Sequence, residues 1–458
     1  MHHIYWRKMN LEDAKRKVKE ELHKLRHESR EGISRIAFEI EHCDPLLWLR
    51  SQDFQKCIYW KSRDSDFVCA GIEEALFIRG RNFFSYKDIF SEIRRFLSTA
   101  HLEIRFYGGM RFPIKNIDSE WRDFGGFYFF VPLFELINKG SKSYFVCNVK
   151  TPIKDMEAIL KKLVLINTHI DSGQSITPMS YILREDIPDK DEWKKEVKET
   201  IKEIKKNRLV KVVLARRSSF KLKNPFDPFS LLADPKYKGE RAYHFLIKPS
   251  FHAMFLSMTP ERIFLRRGDN LEAEAVAGTR KRGVTEQEDE ALSLELKKSR
   301  KELTEHRLVS ELLRKKLASI CTTFQVKEKE TLLKLSYMQH LYTKFSGTLK
   351  RGVSDSDIIS LLYPNPAIAG YPVEYALRKI EEVEEFDRGW YSGPFGWVAQ
   401  DCAEFVVSIR SGLFVKDTLY LYSGAGIVSE SDPEMEWEEL NYKIQNFTSF
   451  LRHDSSSA

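Results

Sequence analysis

Residues 209–220, LVKVVLARRSSF, are dominated by branched and apolar side chains and read as a β-strand. Lys211 interrupts the run. Strands disfavour lysine, and burial in one lowers the ammonium's pKa, which is what a general base needs. An edge-strand lysine kept in water fits the same position. Before this strand, 190–206 (KDEWKKEVKETIKEIKK) predicts a helix whose charges read as a solvated face. After it come a hairpin-like pair, HAMFLSM (252–258) and RIFLRRG (262–268), and a further strand with a turn, LEAEAVAGTRKRG (271–283). Long helices are predicted over 287–319 and 433–451.

Further out, 11–30 predicts a charged amphipathic helix. Residues 33–150 alternate apolar runs with turn residues, and SRIAFEIEH, CIYWKSR, FVCAGI, EIRFYGG, GGFYFFVPLFEL and SYFVCNVK read as strands. Residues 166–179, INTHIDSGQSITPM, read as a polar connection. The pattern implies a mixed α/β chain, with a strand-rich N-terminal subdomain over 1–185 and a second region over 186–458 of the same unit. No period of 20–50 residues recurs, which argues against a solenoid or propeller.

Hydrophobic residues make up 42% of the 458 and charged residues 31%, as expected of a soluble globular protein. The net charge of +7 is spread along the chain, with no basic stripe to suit nucleic acid. The six cysteines form no CxxC pair, so neither a zinc knuckle nor a disulfide framework is indicated. A reducing, cytoplasmic setting is expected. No signal-peptide apolar region opens the chain, and no apolar run approaches the roughly 18 residues of a membrane span.

Five features admit a chemical reading beside a structural one. Glu302 and Glu305 lie three residues apart in SRKELTEHRLVSELLRKKL (299–317), and Glu436, Glu439 and Lys443 share a face in PEMEWEELNYKIQNFTSFL (433–451). Four carboxylates from two helices suit a hard, oxygen-loving cation such as magnesium, although surface glutamates on charged helices read the same way. Lys211 is the second feature. Third, TPERIF (259–264) sets Glu261 directly after Pro260, where a plain turn carboxylate also fits. Fourth, AEAVAGTRKRG (273–283) offers Gly278 for close backbone approach and Thr279 for a hydroxyl, or simply a hairpin turn. Fifth, Arg410 in SIRSG stands ahead of YSGAGIV, with Gly424 and Gly426, and could grip a carboxylate. GAG alone is not a dinucleotide fingerprint.

Taken in order, KVVLAR, TPERIF, EAVAGTR, KELTEHRLV, QHLYTKFSGTL, YPNPAIAGYP, FDRGWYSGPFGWV, VVSIRSG and GAGIVSESDPEMEWEELNYK resemble the motifs of chorismate-utilising enzymes. That family includes isochorismate, salicylate, anthranilate and aminodeoxychorismate synthases. In the N-terminal half, DPLLWL, CIYWKSRD, FYGGMRF and DFGGFYFFVPLFEL resemble menaquinone-type isochorismate synthases. The resemblance implies an α/β fold of the α+β type like anthranilate synthase component I, with two stacked antiparallel sheets and flanking helices.

It also implies roles. Lys211 matches the base that activates water, and Glu261 the acid that protonates the departing 4-hydroxyl of chorismate. Glu302, Glu305, Glu436 and Glu439 match a Mg2+-holding set, with Glu305 and Glu439 as direct ligands. Tyr391, Arg410 and Gly424 match positions that bind the pyruvyl carboxylate. Gly278 and Thr279 match the loop over the ring carboxylate, His340 a histidine beside the ring, and Lys443 a lysine near metal and carboxylates. Ala277 stands where aminodeoxychorismate synthases carry a nucleophilic lysine, and Lys211 where anthranilate synthases carry glutamine. Both point to water as nucleophile and to no glutamine amidotransferase partner. Ala367, where salicylate synthases carry threonine, points to isochorismate as product. Monomer and homodimer both stay open. The chain departs from the family at Thr259, Tyr342, Tyr363 and Asn365.

Overall fold

The computed structural model describes residues 8–82, 85–97, 102–114, 119–170, 179–206, 209–224, 227–237 and 239–454. Their strands form one hydrogen-bonded network, antiparallel throughout except where Leu451–His453 joins Met179–Ile187. The expected mixture of helices and antiparallel sheet is present, with the two stacked sheets fused into one. The strand Phe127–Lys139 makes the join. One edge pairs along its length with Phe67–Gly80. The other is divided between Phe106–Met110 and Lys142–Thr151. This strand is buried on both faces, which explains its unbroken apolar sequence.

Two arms leave this seam. The first runs from Phe67–Gly80 through Cys57–Lys61, Tyr243–Ser250, Ala253–Thr259, Ser411–Val415 and Thr418–Ile427 to Lys211–Leu222. The second runs from Phe106–Met110 through Pro394–Val398, Cys402–Val407, Arg262–Arg267 and Asn270–Lys281 to Met338–Leu349. They pack face to face on an aromatic core. Phe245 of the first arm stacks on Phe395 of the second, with ring centroids 3.7 Å apart, and Trp60 stacks on Phe395 at 6.2 Å. Each such buried phenylalanine contributes roughly 1.5–3 kcal/mol.

Three sequence expectations are corrected. HAMFLSM and RIFLRRG form no hairpin: Ala253–Thr259 lies in the first arm and Arg262–Arg267 in the second. Pro260 and Glu261 between them lack the positive-φ residues that a tight hairpin needs, so the chain crosses instead. The helix predicted over 287–319 is two, Glu286–Lys298 and Arg300–Ile320. Ser299 stands extended between them, its side chain accepting from the Glu302 amide. A serine that caps a helix N-terminus ends the preceding one. The helix predicted over 433–451 is interrupted at Ile444, which leaves helical geometry as it and Phe447 enter the core; Pro433–Lys443 precedes it, one further helical turn, Gln445–Thr448, follows, and Leu451–His453 is extended. Of the polar connection at 166–179, residues 171–178 lie outside the described residues.

Candidate active site

Two crossings of the chain between the arms build the site. The first is Thr259–Pro260–Glu261, and the second is Ser408–Ile409–Arg410, linking Cys402–Val407 to Ser411–Val415. Arg410 adopts a left-handed φ of 51°. That conformation costs a branched-free residue about 1 kcal/mol or more. The arms hold it, with the Met258 amide donating to the Arg410 carbonyl at 3.1 Å. Strain kept at a buried arginine is a mark of a working position.

Glu261 is 3% exposed. Asn365 Nδ2 donates to its Oε1 at 2.8 Å, and its own amide donates to Thr259 Oγ1 at 3.3 Å. Burial pushes the Glu261 carboxyl up to about 7, against the opposing pull of Asn365, Lys211 and Arg410. The carboxyl therefore carries a proton through much of the neutral range, as a general acid requires.

A cavity opens in front of it. Of the residues singled out from sequence, Glu261, Gly278, Thr279, Glu305, His340, Ala367, Tyr391, Arg410, Gly424 and Lys443 line it. Gly278 is not a hairpin turn. It forms a bulge in Asn270–Lys281, with φ of 78°, between Ala277 and Thr279. The bulge re-aims Thr279 toward the cavity and His340. His340 Nδ1 lies 3.0 Å from Thr279 Oγ1, and its Nε2 lies 3.5 Å from Arg410 Nη2. Guanidinium nitrogens only donate, so Nε2 is the acceptor and Nδ1 carries the proton. Burial, with Arg410 and Lys443 nearby, holds His340 well below its ordinary pKa, so the ring is neutral. Lys443 Nζ donates to the Gly424 carbonyl at 2.7 Å and pairs with Glu439. Burial also lowers Arg410 to about 10, opposed by Glu439.

Lys211, Glu302, Glu436 and Glu439 stand behind or beside this cavity. Lys211 is 1% exposed and donates to Glu305 Oε1 at 2.7 Å, so Glu305 sits between it and the open space. Glu302, Glu436 and Glu439 line an adjoining depression with Arg280 and Lys301. Every one of the four glutamates meets a cation: Glu302 with Arg280 at 3.0 Å, Glu305 with Lys211, Glu436 with Lys301 at 3.1 Å, and Glu439 with Lys443. Among the described residues, no three of them gather closely enough to hold a metal as they stand. They are nonetheless close enough to feel one another. Burial raises Glu302, and Glu305 and Glu439 add to the effect. Burial raises Glu436, and Glu439 adds to it. Burial also works to raise Glu439, but Lys443 and Lys301 hold it below the usual carboxylate value. An all-carboxylate set whose charges crowd one another suits a hard divalent cation.

The two glycines of GAG serve approach. A Cβ on Gly424 would stand 2.9 Å from the Tyr391 hydroxyl, and one on Gly426 would stand 2.7 Å from Lys211 Cε and 3.3 Å from Glu305 Oε1. Other contributors were not apparent from sequence. Arg63, from CIYWKSRD, donates Nη1 to the Pro260 carbonyl at 2.6 Å and Nη2 to Glu274 at 2.5 Å, fixing the crossing that carries Glu261. Tyr363 donates to the Ser392 carbonyl at 3.0 Å beside Tyr391. Ser423 lines the cavity with its hydroxyl buried and unpartnered among the described residues. Of these, only Tyr363 stands at a departure from the family motifs; Asn365, whose Nδ2 donates to Glu261, stands at another. Nothing local marks Arg63, whose bond spans 197 residues.

Residues 20–452 match the family model described as "Chorismate binding enzyme". The chain is 33% identical to the chloroplastic isochorismate synthase of Catharanthus roseus over 92% of its own length and 81% of that protein. It is 30% identical to isochorismate synthase MenF of Bacillus subtilis, covering 95% and 97%. Its structure is similar to that of MenF, the menaquinone-specific isochorismate synthase of Escherichia coli, with a TM-score of 0.84 and 26% identity over 96% of this chain and 100% of that one. With the cavity and its carboxylates described, these matches settle the family: the chain belongs to the chorismate-binding enzymes.

Proposed function

We propose that the chain is an isochorismate synthase, an isomerase that adds water at C2 of chorismate and expels the C4 hydroxyl. One observation carries the reading: a buried carboxyl raised to about 7, Glu261, faces a cavity that Arg410, Lys443, His340, Thr279 and Tyr391 furnish with cationic or neutral donors suited to two carboxylates, with Glu305 as the second acid on its wall. Arg410, Tyr391 and the backbone at Gly424 receive the pyruvyl carboxylate. Thr279, the Gly278 bulge and neutral His340 receive the ring carboxylate. Lys211 in its neutral form takes a proton from the attacking water, which makes it the ammonium whose ion pair with Glu305 stands at 2.7 Å. The ring double bonds shift, the C4–O bond breaks, and Glu261 gives its proton to the departing oxygen, which leaves as water. Atoms balance: one hydroxyl is gained at C2 and one lost at C4.

Glu302, Glu305, Glu436 and Glu439 are the residues that would hold Mg2+. Bound there, the ion would supply positive charge for the substrate's carboxylates beside that of Arg280, Lys211, Lys301 and Lys443, which pair with the four glutamates. Water as nucleophile requires no amidotransferase subunit. Ala367 in the cavity wall supports isochorismate rather than salicylate as product. The relatives' names support a place in menaquinone synthesis, and six free cysteines support a cytoplasmic setting. No helix of the described residues is long and apolar enough to cross a membrane.

The test is chromatography of the products formed from chorismate with and without Mg2+. Isochorismate as the product, abolished by EDTA and restored by Mg2+, is the expected result. Salicylate formed without an added lyase, or anthranilate formed with ammonia and no isochorismate, contradicts the assignment.

A further inference from the structure

The geometry points to Asn365 as the positioning residue for the acid: it holds Glu261 Oε1 as a hydrogen-bond acceptor and so places the acid's proton on Oε2. The inference rests on the proposed role of Glu261 and goes beyond it. Both ends of the Asn365 amide are in use. Its Oδ1 accepts from the Ala367 amide at 2.8 Å, and its Nδ2 donates to Glu261 Oε1 at 2.8 Å. A backbone N–H only donates, so flipping the amide would set NH2 against N–H. The loop itself therefore fixes which end of Asn365 faces Glu261.

A protonated carboxyl has one oxygen that accepts and one that carries hydrogen. An N–H held at 2.8 Å selects Oε1 as the accepting oxygen and leaves the proton on Oε2. The acid is thus loaded on one oxygen, in a cavity where Glu261 is 3% exposed and water does little to randomise it. The same hydrogen bond offsets part of the burial that raises Glu261. Three other charged groups act on that carboxyl: Lys211 and Arg410 favour its ionised form, and Glu274 opposes it. Glu305, His340 and Lys443 share the cavity. The loop that carries Asn365 is anchored separately, by Tyr363 on the Ser392 carbonyl. A residue that only shaped the loop would need its Oδ1 and not its Nδ2.

Asn365→Ser and Asn365→Asp separate these two roles. Both keep an oxygen able to accept from the Ala367 amide, in the local turns that serine and aspartate form. Both remove the N–H directed at Glu261. The first readout is independent of turnover: infrared difference titration, with Glu261→Gln as the blank that identifies the Glu261 carbonyl band. In Asn365→Ser the band is expected at higher wavenumber, with a midpoint above that of wild type; in Asn365→Asp the midpoint rises further, because the new carboxylate also disfavours ionised Glu261. The second readout is kinetic. The alkaline limb of kcat should move to higher pH with the midpoint, and plateau kcat should fall about tenfold or more with KM changed less than about twofold. If Asn365→Asp does not fold, Asn365→Ser carries the test. Wild-type band position, midpoint and pH limb in the folded variants would overturn the proposal and leave Asn365 a loop former. A shifted band in a protein that makes no isochorismate would sustain the positioning role while removing the proposed reaction.

Discussion

Lys211 and Glu305 meet in a 2.7 Å hydrogen-bonded ion pair across 94 residues of sequence, and Gly426 lies against both. The pair joins the first arm of the sheet to the helix that carries half of the carboxylate set. Lys211→Ala removes the base and leaves Glu305 without its cation. Turnover of chorismate is expected to fall by about 10²–10⁴-fold, a loss carried by kcat. Steady-state kinetics on the folded variant check this, and kcat within about twofold of wild type would remove Lys211 from the mechanism.

Gly426→Ala tests the same pair without touching either charge. The new methyl would stand 2.7 Å from Lys211 Cε, closer than side chains tolerate, so the lysine must move. The atoms met are the far ends of two flexible side chains, so the move costs little stability. A melting temperature close to wild type and a drop in kcat of about tenfold or more are expected, because the displaced group is the proposed base.

Glu261 makes a prediction about pH. Its carboxyl is raised from 4.5 to about 7, chiefly by burial, so the folded state holds this proton more tightly than the unfolded chain does. The stability that follows is fully present below about pH 4.5 and is lost as pH rises to about 7. That interval corresponds to about 3 kcal/mol. Glu261→Gln, neutral at every pH, should therefore be inactive yet more stable than wild type above pH 7, with the difference shrinking toward pH 4.5. Wild-type kcat should decline as pH passes about 7, where the acid loses its proton. Denaturant melts of both proteins at several pH values test the first statement, and a parallel stability profile for the two would contradict it.

Arg63 comes from the strand-rich N-terminal part, yet it holds the Pro260 carbonyl and Glu274 beneath the catalytic crossing. Its side chain is fully buried. Arg63→Met leaves buried Glu274 with Arg262 as its remaining cation. Breaking one side of a buried pair typically costs about 3–5 kcal/mol. Chemical denaturation should register a loss of that order, with reduced kcat in whatever fraction remains folded.

The strands were legible in sequence because their apolar runs are long, and the motif residues because their order resembles that of the chorismate-utilising enzymes. Taken singly, Lys211 and Glu261 fit an edge strand and a turn equally well. The crossing at Pro260–Glu261 was not legible. Two strands separated by two residues look alike whether they pair with each other or part into different arms, and only the long-range partners decide. Ser299 shows the same limit at short range, since its helix-capping bond splits a pattern that is otherwise continuously helical. Arg63 and Asn365 act through bonds of 197 and 104 residues' separation, and no spacing rule reaches that far. The carboxylates were read as one metal set, and the structure adds that each is balanced by its own lysine or arginine.

The central claim is that this cavity adds solvent water at C2 while Glu261 releases the C4 hydroxyl. Turnover of chorismate in water enriched in oxygen-18, with mass analysis of the isochorismate formed, tests it most directly. One heavy oxygen is expected in the product, located at the C2 hydroxyl. Isochorismate that retains the original, unlabelled hydroxyl would contradict it.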